Sequence, residues 1–228
     1  MGVAIKICGI TNSEDAQSAV NAGADFIGII VEIEESPRAV GIEAAQRVIS
    51  TSTAAVVLVL EKKQPDVIQI ANDLNPYAVQ LIGNTDFTAI EHLRAHITCR
   101  IWKTLQIPQR ENDEVSRAEI NSQIESYRAA GVDVIVLDTL VRHRGSLKKG
   151  GTGQTCDWGM AHQLVAGAPL PIFLAGGITP LNVREAIMAV RPQGIDVSSG
   201  VELRPGKKDP GKILQLIQTV RAAQTAAW

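Results

Sequence analysis

The chain has 228 residues, 45% hydrophobic and 20% charged, which is ordinary for a globular protein and enough for a sizeable core. A net charge of −2 and a sequence pI near 6.1 give no general attraction to nucleic acid or to an anionic membrane, so any anion must be bound at a local site. Cys8, Cys99 and Cys156 lack C-x-x-C spacing, which argues against a disulfide framework and a zinc site; with no signal-like start and only short apolar runs, the expectation is a soluble cytoplasmic protein acting on small molecules.

Along the chain, β-branched runs alternate with amphipathic segments. A strand at 3–8 precedes a helix at 13–22, which opens at Asn12 or Ser13 with acidic Glu14 and Asp15 and closes at Gly23. Strands at 25–31, 54–60, 77–81 and 99–104 are followed by helices at 41–50, 65–73, 87–96 and 114–130. The last three strands, 132–138, 171–175 and 194–198, precede helices at 157–166, 180–190 and 210–225, the helix at 180–190 opening on Thr179-Pro180.

Strict strand-then-helix alternation requires parallel strands with right-handed crossovers. Eight such units without a linker predict a closed (βα)8 barrel, with residues 1–228 as one domain. Two connections are long, Glu32 to Val40 and Thr139 to Cys156. Both follow C-terminal strand ends, where such barrels keep their active sites, and both are candidate lids.

Alternation along the first strand turns Ala4, Lys6 and Cys8 into the barrel and Val3, Ile5 and Ile7 toward the helices. A lysine inside a barrel is unusual, and a buried cation beside a thiol lowers its pKa toward neutrality, which would make Cys8 a base or nucleophile. The bland alternative is that Cys8 is a small buried hydrophobe. Strand 132–138 ends in Asp138, either a loop cap or an acid whose pKa desolvation raises until it can donate a proton.

Glycine-rich turns follow three strands: Gly150-Gly151-Thr152-Gly153, Gly176-Gly177 and Ser198-Ser199-Gly200. The last two stand where barrels often bind phosphate, and none matches a nucleotide fingerprint. Arg38, in Ser36-Pro37-Arg38, offers a fork for a carboxylate or phosphate. Neighbouring Glu32, Glu34 and Glu35 would either repel an anionic ligand or fasten the arginine. His92, His96, His143 and His162 have no carboxylate at metal spacing, so no metal is implied.

Taken together, Lys6-Ile7-Cys8-Gly9-Ile10-Thr11, Ser36-Pro37-Arg38, Val79-Gln80-Leu81, Leu137-Asp138, Gly150 to Gly153 with Asp157-Trp158, Leu174 to Gly177, Asp196 to Glu202 and Pro205 to Asp209 resemble the phosphoribosylanthranilate isomerase family of tryptophan biosynthesis, nearly end to end. The resemblance implies a (βα)8 fold, no cofactor, and an Amadori rearrangement of a phosphorylated sugar–anthranilate substrate. It implies that Asp138 is the general acid and Cys8 the general base, that Gly176, Gly177, Ser199 and Gly200, with Gly151 and Lys6 beside them, contribute to substrate binding, and that Arg38 holds the anthranilate carboxylate.

Two departures fall on the side expected to hold the aromatic ring. Ile82 stands where the family usually has histidine, and Gly28 to Ile33 lacks the family's aromatics. They keep open a related barrel working on another aminated phosphoribose, or a non-catalytic paralogue that binds phosphosugars.

Overall fold

The computed structural model describes residues 2–109, 116–143, 146–149 and 155–226. Within them, β1 (Ala4–Ile7), β2 (Phe26–Val31), the short β3 (Ala39–Val40), β4 (Ala55–Leu60), β5 (Ala78–Leu81), β6 (Arg100–Ile107), β7 (Val134–His143), β8 (Ser146–Lys149), β9 (Ile172–Leu174), β10 (Gly194–Val197), β11 (Glu202–Arg204) and β12 (Lys207–Lys208) occur in chain order. The helices are α1 (Ser13–Ala22), α2 (Ile42–Thr51), α3 (Gln64–Leu74), α4 (Phe87–His96), α5 (Arg117–Ala129), α6 (Trp158–Gly167), α7 (Val183–Val190) and α8 (Pro210–Ala226).

Parallel pairing runs β1-β10-β9-β7-β6-β5-β4-β2, and β2 returns to pair with β1. The expected (βα)8 barrel is therefore closed, with Lys6 in register with Asp196 on one side and Phe26 on the other. Local chemistry sets the helix ends as anticipated. The Asn12 side chain accepts from the Asp15 N–H and Gly23 closes α1 at φ 103°; Ser116 and Glu119 form a reciprocal capping box on α5.

Side-chain alternation divides the core in two. Outward residues such as Ile5, Ile7, Leu58, Leu60, Ile135 and Leu137 pack under the helices in one continuous cluster. Inward residues Val57, Ala78, Trp102, Val134, Val136, Phe173 and Ala175, with Phe26 against them, fill the lower barrel. Phe26, Trp102 and Phe173 meet at centroid distances of 4.8–5.8 Å in tilted and edge-on contacts. Gly194 is required there, because a Cβ would lie 2.4 Å from the Phe173 ring.

Three local expectations are corrected. Part of the long connection after Asp138 is regular: β7 continues to His143 and pairs antiparallel with β8, Leu140 opposite Lys149. Strand 99–104 extends to Ile107 as β6, because β7 continues to pair with it through Thr139. Helix 180–190 begins only at Val183, because the Thr179 N–H bonds the Asn182 side chain at 2.8 Å and Thr179 to Asn182 forms a turn. The expected first residues of helix 114–130, 114 and 115, lie outside the described residues.

The aromatic cluster carries much of the barrel's lower half, so Trp102→Ala is expected to destabilise the protein by about 3–5 kcal/mol. Urea unfolding is the measurement. A loss under about 1 kcal/mol would show that this cluster does not support the barrel.

Candidate active site

The site is built from what the strands present above the aromatic plug. Lys6 is fully buried and its Nζ lies 2.8 Å from Asp196 Oδ2, itself only 7% exposed. Gly28 on the adjoining strand makes room for them: a Cβ there would meet Cys8 Sγ at 2.8 Å and Lys6 Nζ at 3.0 Å. Cys8, just past β1, is fixed by its N–H donating to the Val197 carbonyl at 2.8 Å. The inward reading of Lys6 and Cys8 holds.

The electrostatic reading of Cys8 does not hold. Burial pushes the thiol up, and although Lys6 pulls it down, Asp196 pushes it up again, so the net direction is above the ordinary thiol value. Sequence reasoning counted the cation and left out the burial that outweighs it, as well as the opposing charge of Asp196. For Lys6, burial lowers the pKa but Asp196 and then Cys8 raise it more, so the ammonium stays charged.

Asp138 lies in β7, one residue beyond the last β7–β9 pair at Leu137 and Leu174. Its Oδ1 accepts the Thr139 N–H at 2.8 Å. Burial raises its pKa to about 6; the Thr139 bond opposes the shift, Asp196 adds to it, and Gln106 and Lys6 oppose it more weakly. It is thus an acid half-protonated near pH 6, in one field with Lys6 and Asp196. Cys156 stands beside it, and burial reinforced by the Asp138 charge pushes that thiol up to about 12.

On the opposite side of the mouth, Arg38 donates from Nε and Nη2 to the two oxygens of Glu202 at 2.8 and 2.7 Å. Neither Glu34 nor Glu35 takes the fastening role, and Glu32 pairs with Lys62 at 2.9 Å. Glu202 also accepts from the fully buried Lys208 at 2.9 Å. Above the thiol the rim is apolar: Cys8, Ile33 and Val59 pack together with Ile30 and Ile82 against them. Ile82 thus extends an aliphatic wall over Cys8.

The glycine turns after β9 and β10 come together at the mouth. Gly176 and Gly177 have φ of 80° and 63°, and a Cβ on Gly176 would fall 1.9 Å from Thr139 Oγ1. A Cβ on Gly200 would fall 1.9 Å from the Ile178 carbonyl oxygen, so the turns after β9 and β10 touch. Ser199 and Gly200 lie in a 3₁₀ turn over Ser199–Val201. Gly151 lies outside the described residues. Among those described, no group of three or more His, Cys, Asp or Glu side chains is placed to hold a metal ion, and His92 and His96 stack on each other on the exposed side of α4.

Sequence reasoning missed Asp196, Glu202 and Lys208 as parts of the site. Asp196 was within reach, because the alternation that turned Lys6 inward also places Gly194, Asp196 and Ser198 on one face. No helix among the described residues is long and apolar enough to cross a membrane.

Comparison with known proteins agrees with this geometry. The family model for N-(5′-phosphoribosyl)anthranilate (PRA) isomerase matches residues 5–219. The N-(5′-phosphoribosyl)anthranilate isomerase of Microcystis aeruginosa is 39% identical, with 95% of this chain and 97% of that one covered. Its counterpart in Methanocella arvoryzae is 35% identical, covering 96% and 99%. The crystal structure of the Thermotoga maritima phosphoribosyl anthranilate isomerase superposes with a TM-score of 0.80 at 31% identity, covering 96% and 99%. A phosphoribosyl anthranilate isomerase in complex with reduced 1-(o-carboxyphenylamino)-1-deoxyribulose 5-phosphate superposes at 0.78 with 29% identity, covering 96% and 99%. The chain belongs to the N-(5′-phosphoribosyl)anthranilate isomerase family.

Proposed function

We propose that this chain, with residues 1–228 acting as one (βα)8 domain, carries out its family's reaction. That reaction is the Amadori rearrangement of N-(5′-phosphoribosyl)anthranilate to 1-(2-carboxyphenylamino)-1-deoxyribulose 5-phosphate, an isomerisation in tryptophan biosynthesis. The observation that carries this reading is the raised acid Asp138 sharing one buried field with Lys6, Asp196 and, through them, Cys8. The relative crystallised with a reduced phosphosugar analogue supports the same substrate class.

In this assignment, the Asp138 carboxyl gives its proton to the ribose ring oxygen. The C1′–O bond breaks toward that oxygen as the anthranilate nitrogen's lone pair closes a C1′=N bond. The Cys8 sulfur then takes the C2′ proton, and the C–H electron pair forms a C1′=C2′ bond while the nitrogen recovers its lone pair. Loss of the C2′ hydroxyl proton and protonation at C1′ complete the ketone. Protons and electron pairs are rearranged within one molecule, so an acid and a base on opposite sides of the sugar meet the chemical need.

Binding follows the same division. The turns at Gly176, Gly177, Ser199 and Gly200 receive the phosphate through backbone N–H groups, and Gly151 is assigned to substrate binding from the sequence. Arg38 receives the carboxylate, and the wall of Ile33, Val59 and Ile82 receives the ring. Lys6 holds Asp196 in place beside the reacting carbons. A cytoplasmic site of action is part of this reading, supported by Cys8, Cys99 and Cys156 all being free thiols.

Asp138→Asn and Cys8→Ala are each expected to lower kcat/KM by roughly 10²–10⁴-fold, followed by the loss of substrate fluorescence. Turnover at the parent rate in either variant would overturn the role given to that residue.

With an acid near pKa 6 and a base above the ordinary thiol value, the productive pair of protonated Asp138 and ionised Cys8 is a minority state of constant share between the two pKa values. The parent kcat/KM is therefore expected to climb to about pH 6, stay level, and fall only in the alkaline range. In Asp138→Asn the residual rate should instead keep climbing through neutrality, since only the thiolate then matters. A level residual profile would count against Cys8 as the base.

The same shift bears on stability. Folded Asp138 holds its proton more tightly than the ordinary aspartate at 3.8, so its contribution is intact below that value and is lost as pH rises through about 6. Above that, the ionised carboxylate costs up to about 3 kcal/mol. Asp138→Asn is expected to resist urea better than the parent near neutral pH and to lose the advantage near pH 4. Equal stability at both pH values would show that the carboxylate is not strained in the fold.

A further inference from the structure

The ribbon of β11 and β12 lies outside the barrel wall, yet its two strands carry the partners of Arg38. Glu202 opens β11 and Lys208 closes β12, with Glu202 opposite Lys208 in the pairing. Their side chains are 4% and 0% exposed. Lys208 Nζ donates to Glu202 Oε1 at 2.9 Å and to the Ser198 carbonyl at 3.1 Å.

The ribbon is itself pinned. The Lys208 N–H and the Lys207 ammonium donate to the two oxygens of buried Asp15, at 2.9 and 2.7 Å, and Thr11 Oγ1 donates to the Gly206 carbonyl at 2.8 Å. Burial raises Glu202, but Arg38 and Lys208 outweigh it, and the carboxylate sits below its ordinary range.

A guanidinium has five N–H donors in a fixed plane. Glu202 takes the Nε edge of Arg38, using Nε and Nη2. Among the described residues that leaves the Nη1–Nη2 edge, which matches a second carboxylate through two parallel bonds. Arg38 and Lys208 carry two positive charges against one on Glu202, so the cluster retains the single positive charge that one bound carboxylate would balance.

We propose that Glu202, kept in place by Lys208, is a positioning residue that aims the free edge of Arg38 and so sets the enzyme's preference for a carboxylate on the aromatic ring. The proposal rests on Arg38 being the receptor for that carboxylate. Glu202 touches Arg38, not the reacting atoms. Its loss therefore acts on recognition: KM rises while kcat moves less.

Calorimetry on the full chain with reduced 1-(o-carboxyphenylamino)-1-deoxyribulose 5-phosphate, and with the same compound carrying phenyl in place of carboxyphenyl, gives a ratio of affinities that isolates the carboxylate. The parent ratio is expected to be at least about tenfold. In Glu202→Gln it should fall by about threefold or more, with affinity for the phenyl compound held within about twofold. A purely structural role would weaken both ligands alike, and that result, or an unchanged ratio in Glu202→Gln, overturns the proposal. If Arg38→Gln leaves the ratio unchanged, the assignment of Arg38 fails instead. Lys208→Gln reads the same ratio should Glu202→Gln fail to fold, with the same fall expected and the same outcomes overturning it.

Discussion

An ammonium group buried inside the barrel is the constraint on which the upper half of this protein depends. Removing an ion from water costs several kcal/mol even after relaxation, and Lys6 is entirely buried. Asp196 offsets that cost from the neighbouring strand at 2.8 Å, and the bare backbone of Gly28 supplies the room. The pair then sets the state of everything around it. Burial decides the direction for Cys8, outweighing the pull of Lys6, which Asp196 partly offsets. A thiol held neutral is a poor target for oxidants. The ionised form is a small population available to a well-placed proton, and the resting cysteine is chemically quiet.

How much of this was legible depended on whether a residue's neighbours lie along its own strand. The barrel follows from alternation of strand and helix patterns, and the period of two along β1 puts Lys6 and Cys8 inside. Asp138 was legible for the same reason, as the acid ending an apolar run. The sign of the Cys8 shift was not, since it turned on how deeply the thiol is buried, with Asp196, 190 residues away from Lys6, adding to the rise. Arg38 gave a similar lesson: adjacent glutamates were the natural partners to expect, and the actual one lies 164 residues later. Lys103, buried on the outward side of β6, donates to the carbonyls of Leu81, Gly83 and Thr104. Main-chain acceptors leave no trace in residue identities, so such a lysine cannot be read from sequence. The ribbons of β7–β8 and β11–β12 escaped for another reason: β8, β11 and β12, of two to four residues, are too short for a period to emerge.

The departures from the family's usual residues can be weighed physically. Ile82, where the resemblance leads one to expect histidine, is aliphatic, and it packs against the cluster of Cys8, Ile33 and Val59. Such a wall does two things at once. It offers an apolar face to a ring, and it removes water from the thiol, which is the leading cause of the rise in the Cys8 pKa. The acid Glu32 is turned to Lys62 and leaves Arg38 to Glu202. Neither change reaches the turns at Gly176, Gly177 and Gly200, whose close backbone approaches depend on the absence of Cβ atoms.

Stability and chemistry are accordingly separated along the barrel axis. The lower half is aromatic and aliphatic, with Trp102 and Phe173 in contact and every neighbour contributing burial. The upper half keeps groups in states that cost free energy: a carboxylate raised toward neutrality, a buried cation, and polar atoms such as Asp196 Oδ1 and Ser198 Oγ with no hydrogen-bond partner among the described residues. Those features are tolerated because the aromatic plug and the outer shell of aliphatic side chains hold the strands regardless of what the mouth requires. In the proposed reaction the unpartnered Asp196 Oδ1 and Ser198 Oγ are groups that a ligand hydroxyl would satisfy, whereas Lys6 is already answered by Asp196. On that reading part of the free energy the fold gives up in the mouth is regained on binding, which favours a ligand carrying hydroxyls in that arrangement.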